Sequence, residues 1–323
     1  MSVRSSWGRH SRAVRWLVGT AVIAGGIAAL AASPAGSKGL RDSADRRGSP
    51  ATPVSVFPRQ GDLTVAGRAG DTMVGLTIRP GLPGRNDVVA YLAPDPSADV
   101  TVWLSTRSGR AALIACGQSC RSGTLDLRGG EQLVLRIAGE HGGSVRLPVP
   151  VLPAPDGSAL VQRATRTMAA LQRYRVDELF SGIHSTYTFA RPHQMWLRMW
   201  LSGKPRDTLW LGSSVYKRSD PSGDWSAPSP TDPVPVPYLA WQPFAPFVDV
   251  STVATATIAG VPVSVVSFFG GHGDDPEPVW FTLWVDRRTD RVLRSQMWAP
   301  NHFMDDRYYA FDQPVDIPRP HGG

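Results

Sequence analysis

Cysteine is almost absent from this 323-residue chain, which has only Cys116 and Cys120 in the motif CGQSC. Zinc sites usually show a second ligand pair, and none is spaced that way here. The runs ALIA and SGTLDL on either side are typical of neighbouring strands. For a chain exported from the cytoplasm, this arrangement favours a disulfide across a hairpin. The alternative is a thiolate pair that holds Cu(I) or Zn.

The common motifs of enzyme active sites are also missing. There is no G-x-S-x-G, H-E-x-x-H, P-loop or G-x-G-x-x-G, and no cysteine is free to act as a nucleophile. We therefore predict a protein that is not an enzyme. One candidate remains in GGHGDDPEP (270–278), where His272 stands near Asp274, Asp275 and Glu277 and has the chemistry for cation binding or acid/base catalysis. A solvated hairpin loop explains the same residues, because turns favour Gly, Asp and Pro.

A basic surface is missing once the N-terminus is set aside. The net charge is +7, but Arg4, Arg9, Arg12 and Arg15 belong to an N-terminal leader without acidic residues. Beyond residue 32 there remain 30 basic and 27 acidic side chains. Nucleic-acid binding needs a concentrated positive face, so we predict no nucleic-acid partner.

Long apolar runs are absent except for WLVGTAVIAGGIAALAA at 16–32, which is shorter than the roughly 20 residues that span a bilayer. Because the run follows arginines, residues 1–32 are a signal peptide or a signal anchor, and Ala29 and Ala31 offer a cleavage site. No cysteine follows the run for lipid attachment. The polar stretch 33–53 is typical of a flexible spacer. We therefore expect the remainder outside the cytoplasm, secreted or anchored to the cytoplasmic membrane through the N-terminal segment.

What the chain does contain is many short β-favouring runs. From 54 to 150 they alternate with Gly, Pro and Asp clusters, which predicts a small Ig-like β-sandwich. Its TMVGLTIRPGLPGRNDVVAYL segment resembles a strand-turn-strand motif of the CopC-like or YtkA-like domains of bacterial copper-resistance proteins. The residues that carry this resemblance are Pro80, Gly81, Pro83, Gly84 and Asn86.

The pattern changes after the proline-rich stretch 149–157, which we take as a domain boundary. A helix is predicted over 158–180, capped by Ser158, because apolar residues recur at three- and four-residue intervals. Strand patterns follow, so the region 151–323 is predicted to be α+β, with a large antiparallel sheet covered by the helix. The apolar helix residues are Leu160, Ala164, Met168, Leu171 and Tyr174.

Several separated motifs in this region resemble one family in the right order. They are MAALQRYRVDELFSG, the Ala-Arg-Pro step before QMWLRMW, SVYKRSDPSGDW, VWFTLWVDRRTDRVLRSQM and HFMDDRYYAFDQPVDIPRP. They are similar to the extracytoplasmic C-terminal region of CopC/CopD-type copper-resistance proteins, a region related in fold to the LolA and LppX lipoprotein carriers. The resemblance implies a LolA-like half-barrel of antiparallel strands, closed by a helix around an apolar pocket. The polytopic copper-permease portion is absent.

This resemblance and the abundance of tryptophan predict a binding protein for a lipid-like or other apolar molecule. A fully packed core is the alternative, since tryptophans fill space well. The candidate pocket residues are Met168, Leu171, Trp196, Trp200, Trp210, Trp280, Trp284 and Trp298.

Two H-x-M pairs support an alternative function as a copper-binding accessory beside a copper-handling membrane protein. In a strand, His302 and Met304 share one face, and His193 and Met195 repeat the spacing. Imidazole and thioether groups suit Cu(I), and Met297 is a fifth candidate ligand. Alternatively Met304 packs in the core while His302 caps a turn. A structural interaction module with neither ligand is the third hypothesis.

Overall fold

A computed structural model describes residues 55, 57–95, 100–107, 109–139, 142–270, 278–300 and 302–320. The leader 1–32, the spacer 33–53 and the loop that contains His272 lie outside the described residues. Residues 54–323 belong to one compact unit. Within the described part, no helix has the length and apolar character needed to cross a membrane.

The N-terminal half of this unit is an eight-stranded antiparallel sheet with the order β1-β2-β3-β6-β5-β4-β7-β8. The first and last strands of that order, β1 and β8, also contact each other, so the sheet folds over a shared aliphatic core. We call this part the sandwich. Its strands are β1 Leu63–Ala69, β2 Thr72–Arg79, β3 Gly84–Ala93, β4 Val102–Ser105, β5 Arg110–Gly117, β6 Cys120–Leu127, β7 Glu131–Ile137 and β8 Gly143–Val149.

The Gly/Pro turn between β2 and β3 is held by Asn86. Its side-chain oxygen accepts hydrogen bonds from the amides of Gly81 and Leu82, and its side-chain nitrogen donates to the carbonyls of Leu82 and Gly84. Asn86 is almost completely buried, so these bonds satisfy a side chain that would otherwise be costly to bury. The residues that carry the CopC-like resemblance therefore have a structural role in this turn.

The two cysteines form the predicted disulfide. Cys116 near the end of β5 is bonded to Cys120 at the start of β6, with Cα atoms 5.2 Å apart. This distance lies within the usual range for disulfides.

The C-terminal half is an eleven-stranded antiparallel sheet, ordered β14-β13-β12-β11-β10-β9-β19-β18-β17-β16-β15. The prediction of a mainly β chain with one long helix and a large antiparallel sheet is confirmed for the described residues. The strands are β9 Arg173–Phe180, β10 Ile183–Ala190, β11 Gln194–Leu201, β12 Lys204–Leu211, β13 Ser214–Arg218, β14 Ser229–Pro230, β15 Val248–Ile258, β16 Val261–Gly270, β17 Val279–Asp286, β18 Val292–Ala299 and β19 His302–Tyr309.

The helix prediction was too long at its C-terminal end. Helix α1 spans Ser158–Ala170, Leu171 is already extended, and β9 begins at Arg173. The segment RYRVDELF alternates in burial with a period of two, which fits a strand that pairs on both sides. Tertiary pairing therefore overrides the helical spacing of its apolar residues.

The N-terminal cap also differs from the prediction. Gly157 occupies the N-cap position without a side-chain hydrogen bond, and Ser158 is the first helical residue. The amide of Ser158 donates instead to the Asp156 carboxylate at 2.9 Å. The acidic side chain two residues upstream thus performs the role predicted for the serine.

Helix α1 is anchored at its other end by Arg191, from the Ala-Arg-Pro step. The guanidinium donates hydrogen bonds to the carbonyls of Leu171 at 3.0 Å and Ala169 at 2.6 Å. Carbonyls at a helix C-terminus lack intrahelical partners, and a cation there is favourable. The turn before β11 therefore fastens the helix to the sheet.

Candidate functional site

The large sheet has two faces with different neighbours. The helix face, which carries Val176, Phe189 and Met304, packs in one apolar cluster with Val161 and Met168 of α1. The sandwich face carries Val253 and Val265, which join the core of the sandwich, and the aromatic group of Phe269, Trp280 and Trp298. Since side chains alternate along a strand, each tryptophan is assigned to a face by its position.

The structure does not bring the eight predicted pocket residues onto one face. Met168, Leu171 and Trp210 belong to the helix-face cluster. Trp280 and Trp298 lie in the sandwich-face cluster, and Trp284 packs against the sandwich core. Trp196 and Trp200 point to the same side of β11 as the partly exposed Arg198. The guanidinium of Arg198 lies over the Trp196 ring, and the His184 ring stacks on Trp200. A tryptophan not among the candidates, Trp241, is completely buried against the helix face.

The helix face is only partly covered. Of the hydrophobic side chains that pack against its core yet remain partly exposed, six come from β9, β10, β11 and β13 and from positions 236 and 238. We call them the trough. Its members come from β9 to β13 and from the segment 231–247, and they are Phe180, Tyr187, Met199, Val215, Val236 and Tyr238.

The segment 231–247 is fixed over this face by three hydrogen bonds. The Tyr174 hydroxyl donates to the Tyr238 carbonyl at 2.7 Å and accepts from the Tyr238 amide at 2.8 Å. Farther along, the indole N–H of Trp241 donates to Thr165 Oγ1 of α1 at 3.1 Å. Tyr238 also stacks on Phe189, with ring centroids 6.4 Å apart. One wall of the trough is therefore held in place.

Two buried carboxyl groups lie on the helix face beside the trough. Glu178 of β9 and Asp306 of β19 are register partners on adjacent strands, and they are 7% and 3% exposed. The Tyr187 hydroxyl donates to Glu178 Oε2 at 2.9 Å. Asp306 Oδ2 accepts from Ser295 Oγ and from the Tyr308 hydroxyl, each at 3.1 Å. Hydroxyl groups, and no basic side chain, are thus the hydrogen-bond partners of this pair among the described residues.

This environment changes the protonation of both acids. Burial raises the pKa of Glu178 well above that of an ordinary carboxyl, and the nearby Asp306 raises it further. Burial likewise raises the pKa of Asp306, against the lowering effect of its bonds to Ser295 and Tyr308. Two carboxylates side by side in a low-dielectric site do not both ionise easily. The pair therefore holds protons into the neutral pH range.

Two polar atoms near this pair lack partners among the described residues. They are Asp306 Oδ1 and the hydroxyl of Ser185, which is 1% exposed. Ser185 is the register partner of Glu178 on β10, so its side chain stands on the same face, with Cβ atoms about 5 Å apart. Buried polar groups normally have hydrogen-bond partners, which makes these two exceptions notable.

Sequence reasoning missed the carboxyl pair because Glu178 fell inside the helix predicted to end at 180. The sequence does contain a signal, because side chains two residues apart in a strand lie on the same face. Glu178 follows Tyr174 and Val176 on the buried face of β9, and Asp306 lies between Met304 and Tyr308 on the buried face of β19. An acid in the buried phase of a strand is unusual enough to indicate a site.

A cleft of about 330 Å³ lies on the opposite side, between the sandwich and the sandwich face. Its apolar wall includes Val265, Trp284 and Trp298, two of which are predicted pocket residues. Arg68, Arg146, Ser267, Thr282 and Gln296 add polar groups to the lining. The lining of this cleft therefore combines apolar side chains with two arginines and three uncharged polar side chains.

The candidate copper ligands separate into two groups. Met297 and Met304 are register partners and Ala299 pairs with His302, so these three ligands lie together on the helix face. Met195 lies on β11, three strands from β19, about 14 Å away at the usual strand spacing. His193 adopts a positive φ of 51° in a turn, and its Nδ1 is 2.9 Å from the Val234 carbonyl oxygen. Copper binding stays a prediction.

No family model matches this chain, and no curated protein matches it. The solved structures with partial similarity to this chain include the following three. The lipoprotein LppX of Mycobacterium tuberculosis is 11% identical, with a TM-score of 0.40 over 50% of this chain and 97% of its own. LprF of Mycobacterium bovis is 14% identical, with a TM-score of 0.38 over 52% and 100%. A DUF1329 family protein of Desulfovibrio piger is 10% identical, with a TM-score of 0.23 over 51% and 95%.

Proposed function

We propose that this protein is a non-enzymatic binding protein that holds an apolar, lipid-like molecule in the trough. One observation carries the proposal: trough side chains such as Phe180, Met199 and Val215 pack on the helix-face core yet remain partly exposed. Apolar surface that a fold leaves uncovered is typical of ligand-binding grooves. The trough is preferred to the cleft because the cleft wall contains two arginines and several polar side chains.

The arginine-rich leader supports a location outside the cytoplasmic membrane, and the Cys116–Cys120 disulfide supports an oxidising compartment. In this proposal the N-terminal segment exports the chain or anchors it to the membrane. The folded part then presents its trough to lipid-like molecules on the outer side.

The test is titration of the full-length protein with Nile red, an uncharged dye whose emission shifts in apolar surroundings. We expect saturable binding that falls at least tenfold in Met199→Trp, because the indole fills the trough. Ile114→Trp is the matched control, since Ile114 is 70% exposed on a sandwich strand and the same indole there leaves the trough open. Equal affinity in both variants would remove the trough from the proposal. Loss in Gln296→Trp alone would move the ligand to the cleft.

A further inference from the structure

The carboxyl pair gives the trough a polar end. Glu178 lies two residues from Phe180 on the same face of β9, and its hydroxyl partner Tyr187 is itself a member of the trough. Ser185 lies between Glu178 and the trough residue Met199 in the register of β9, β10 and β11. A molecule seated in the trough would therefore meet Glu178 and Ser185 at its edge.

The polar groups at this end are mainly acceptors. Asp306 Oδ1 and Ser185 Oγ have no partner among the described residues although both residues are almost completely buried. An ionised carboxylate accepts hydrogen bonds only, and a serine hydroxyl can accept as well as donate. A ligand group that donates several hydrogen bonds would satisfy both atoms.

Charge indicates which donor fits best. The described basic side chains on this face of β12 and β13 include Arg206 and Lys217, but both are exposed, and neither is hydrogen-bonded to the pair. The hydrogen-bond partners found for Glu178 and Asp306 are the hydroxyls of Tyr187, Ser295 and Tyr308. Buried acids without a cation keep their protons, whereas a cation placed beside them favours the ionised form. A ligand ammonium group can thus replace a proton at this site.

We propose that Glu178, Asp306 and Ser185 form a head-group subsite that selects amphiphiles with a protonated amine. This inference rests on the proposed function, because it assigns a ligand class to the trough. The ammonium donates to the carboxylates and to Ser185 while the apolar tail lies along Phe180 and Met199. Binding displaces protons from the pair, so it strengthens as the pH rises.

The experiment compares three displacers of Nile red with the same ten-carbon chain: decylamine, decanol and decanoate. We expect decylamine to displace the dye at least tenfold more effectively than decanol at pH 8, and decanoate least effectively. Between pH 6 and 8.5 the advantage of the amine should grow, and calorimetry in buffers of different ionisation enthalpy should detect proton release. If all three compounds displaced Nile red equally well, the head-group subsite would be overturned and the proposed function would remain intact. Absence of Nile red binding would instead remove the proposed function.

The variant Glu178→Gln/Asp306→Asn keeps the shapes of the side chains and removes their charge. It should retain Nile red binding, which also reports that it is folded, and lose the preference for the amine. Asp177→Asn is the matched control, because Asp177 is on the same strand but on the opposite face, where it accepts a hydrogen bond from Tyr309. A preference for decylamine that persists in the double variant would overturn the assignment of these residues.

Discussion

The two faces of the large sheet solve the same packing problem in different ways. On the sandwich face, Trp280 is completely buried over Gly75, where an added Cβ would lie 2.5 Å from the indole ring. On the helix face, α1 and the segment 231–247 leave the trough partly open and a pair of acids beneath it. Around Trp280 the sandwich face is thus closed by tight aromatic packing, with the cleft to one side, whereas the helix face keeps partly exposed apolar side chains beside two buried acids.

This difference teaches that the number of tryptophans does not locate a pocket. Trp280 fills space between two sheets, as interior side chains packed at crystal-like density do, whereas Trp284 and Trp298 line the cleft. The more informative signal is a combination on one face: the apolar side chains of Met199 and Val215 are partly exposed, and the buried hydroxyl of Ser185 nearby has no partner among the described residues. Proteins commonly depart from good packing and polar pairing where they bind something.

The largest expected effect is that of pH on the free energy of unfolding, and it acts through the two buried acids of the helix face. Both Glu178 and Asp306 have a raised pKa in the folded chain, so the folded state binds more protons than the unfolded state does. The free energy of unfolding therefore falls as the pH rises from about 4, the ordinary carboxyl range, through the raised values. We expect urea midpoints to decrease steadily from pH 5 to pH 9.

The variant Glu178→Gln/Asp306→Asn should show a clearly shallower decrease over the same range, and it should be more stable than the wild type at pH 9. Asp177→Asn serves as the control and should follow the wild-type curve. Parallel curves for the wild type and the double variant would show that these acids are not protonated in the folded state, and would make the two faces electrostatically alike.

The second prediction disrupts the packing of the sandwich face around Trp280. In Gly75→Ala the new Cβ overlaps the Trp280 ring, and because Trp280 also contacts Tyr91 and Phe269 it has little room to move. We expect a loss of about 2–3 kcal/mol in the free energy of unfolding, as for an overpacked core. Chemical denaturation followed by tryptophan fluorescence measures it.

Gly109→Ala is the matched control, since its Cβ would meet only Leu125 at 3.7 Å, an ordinary contact. The comparison predicts that Gly75→Ala destabilises the protein without changing its affinity for Nile red. A fall in dye affinity would mean that the two faces are coupled.

Much of this architecture could be predicted from the sequence, and the reasons are local. The β-favouring runs VWFTLWVD and LTVAGRA predicted strands, the first of which is buried on both faces, and CGQSC predicted its disulfide from spacing. The end of α1 could not be predicted, because the apolar residues through Tyr174 fit a helical period and only pairing with β10 and β19 favours a strand.

The candidate site was harder to predict for a related reason. A one-residue change in strand phase moves a side chain to the other face, so Trp280 and Phe281 point to opposite neighbours. The approach of Glu178 to Asp306 depends on the pairing of β9 with β19, which are separated by over a hundred residues. No local pattern specifies that pairing.

The smallest change in the free energy of unfolding is expected from Arg191→Ala, which loosens helix α1 on the helix face. The change removes two hydrogen bonds from the guanidinium to the carbonyls of Ala169 and Leu171, and with them a cation from the C-terminal end of α1. Because Arg191 is exposed, water replaces part of what is lost, and we expect a decrease of about 1 kcal/mol in the free energy of unfolding. Arg191→Lys should recover part of it, since lysine keeps the charge but not the forked geometry.

The more informative readout of Arg191→Ala is local, because the helix covers the face that the trough occupies. Amide hydrogen exchange should accelerate in the last turn of α1, near Met168, while the amides of β17 around Trp280 keep the wild-type rate. Arg166→Ala is the control, since Arg166 is exposed on the same helix and has no partner among the described residues. Faster exchange at Trp280 as well would contradict the comparison. The helix would then be part of one cooperative core with the sandwich face, and not a cover that opens separately from it.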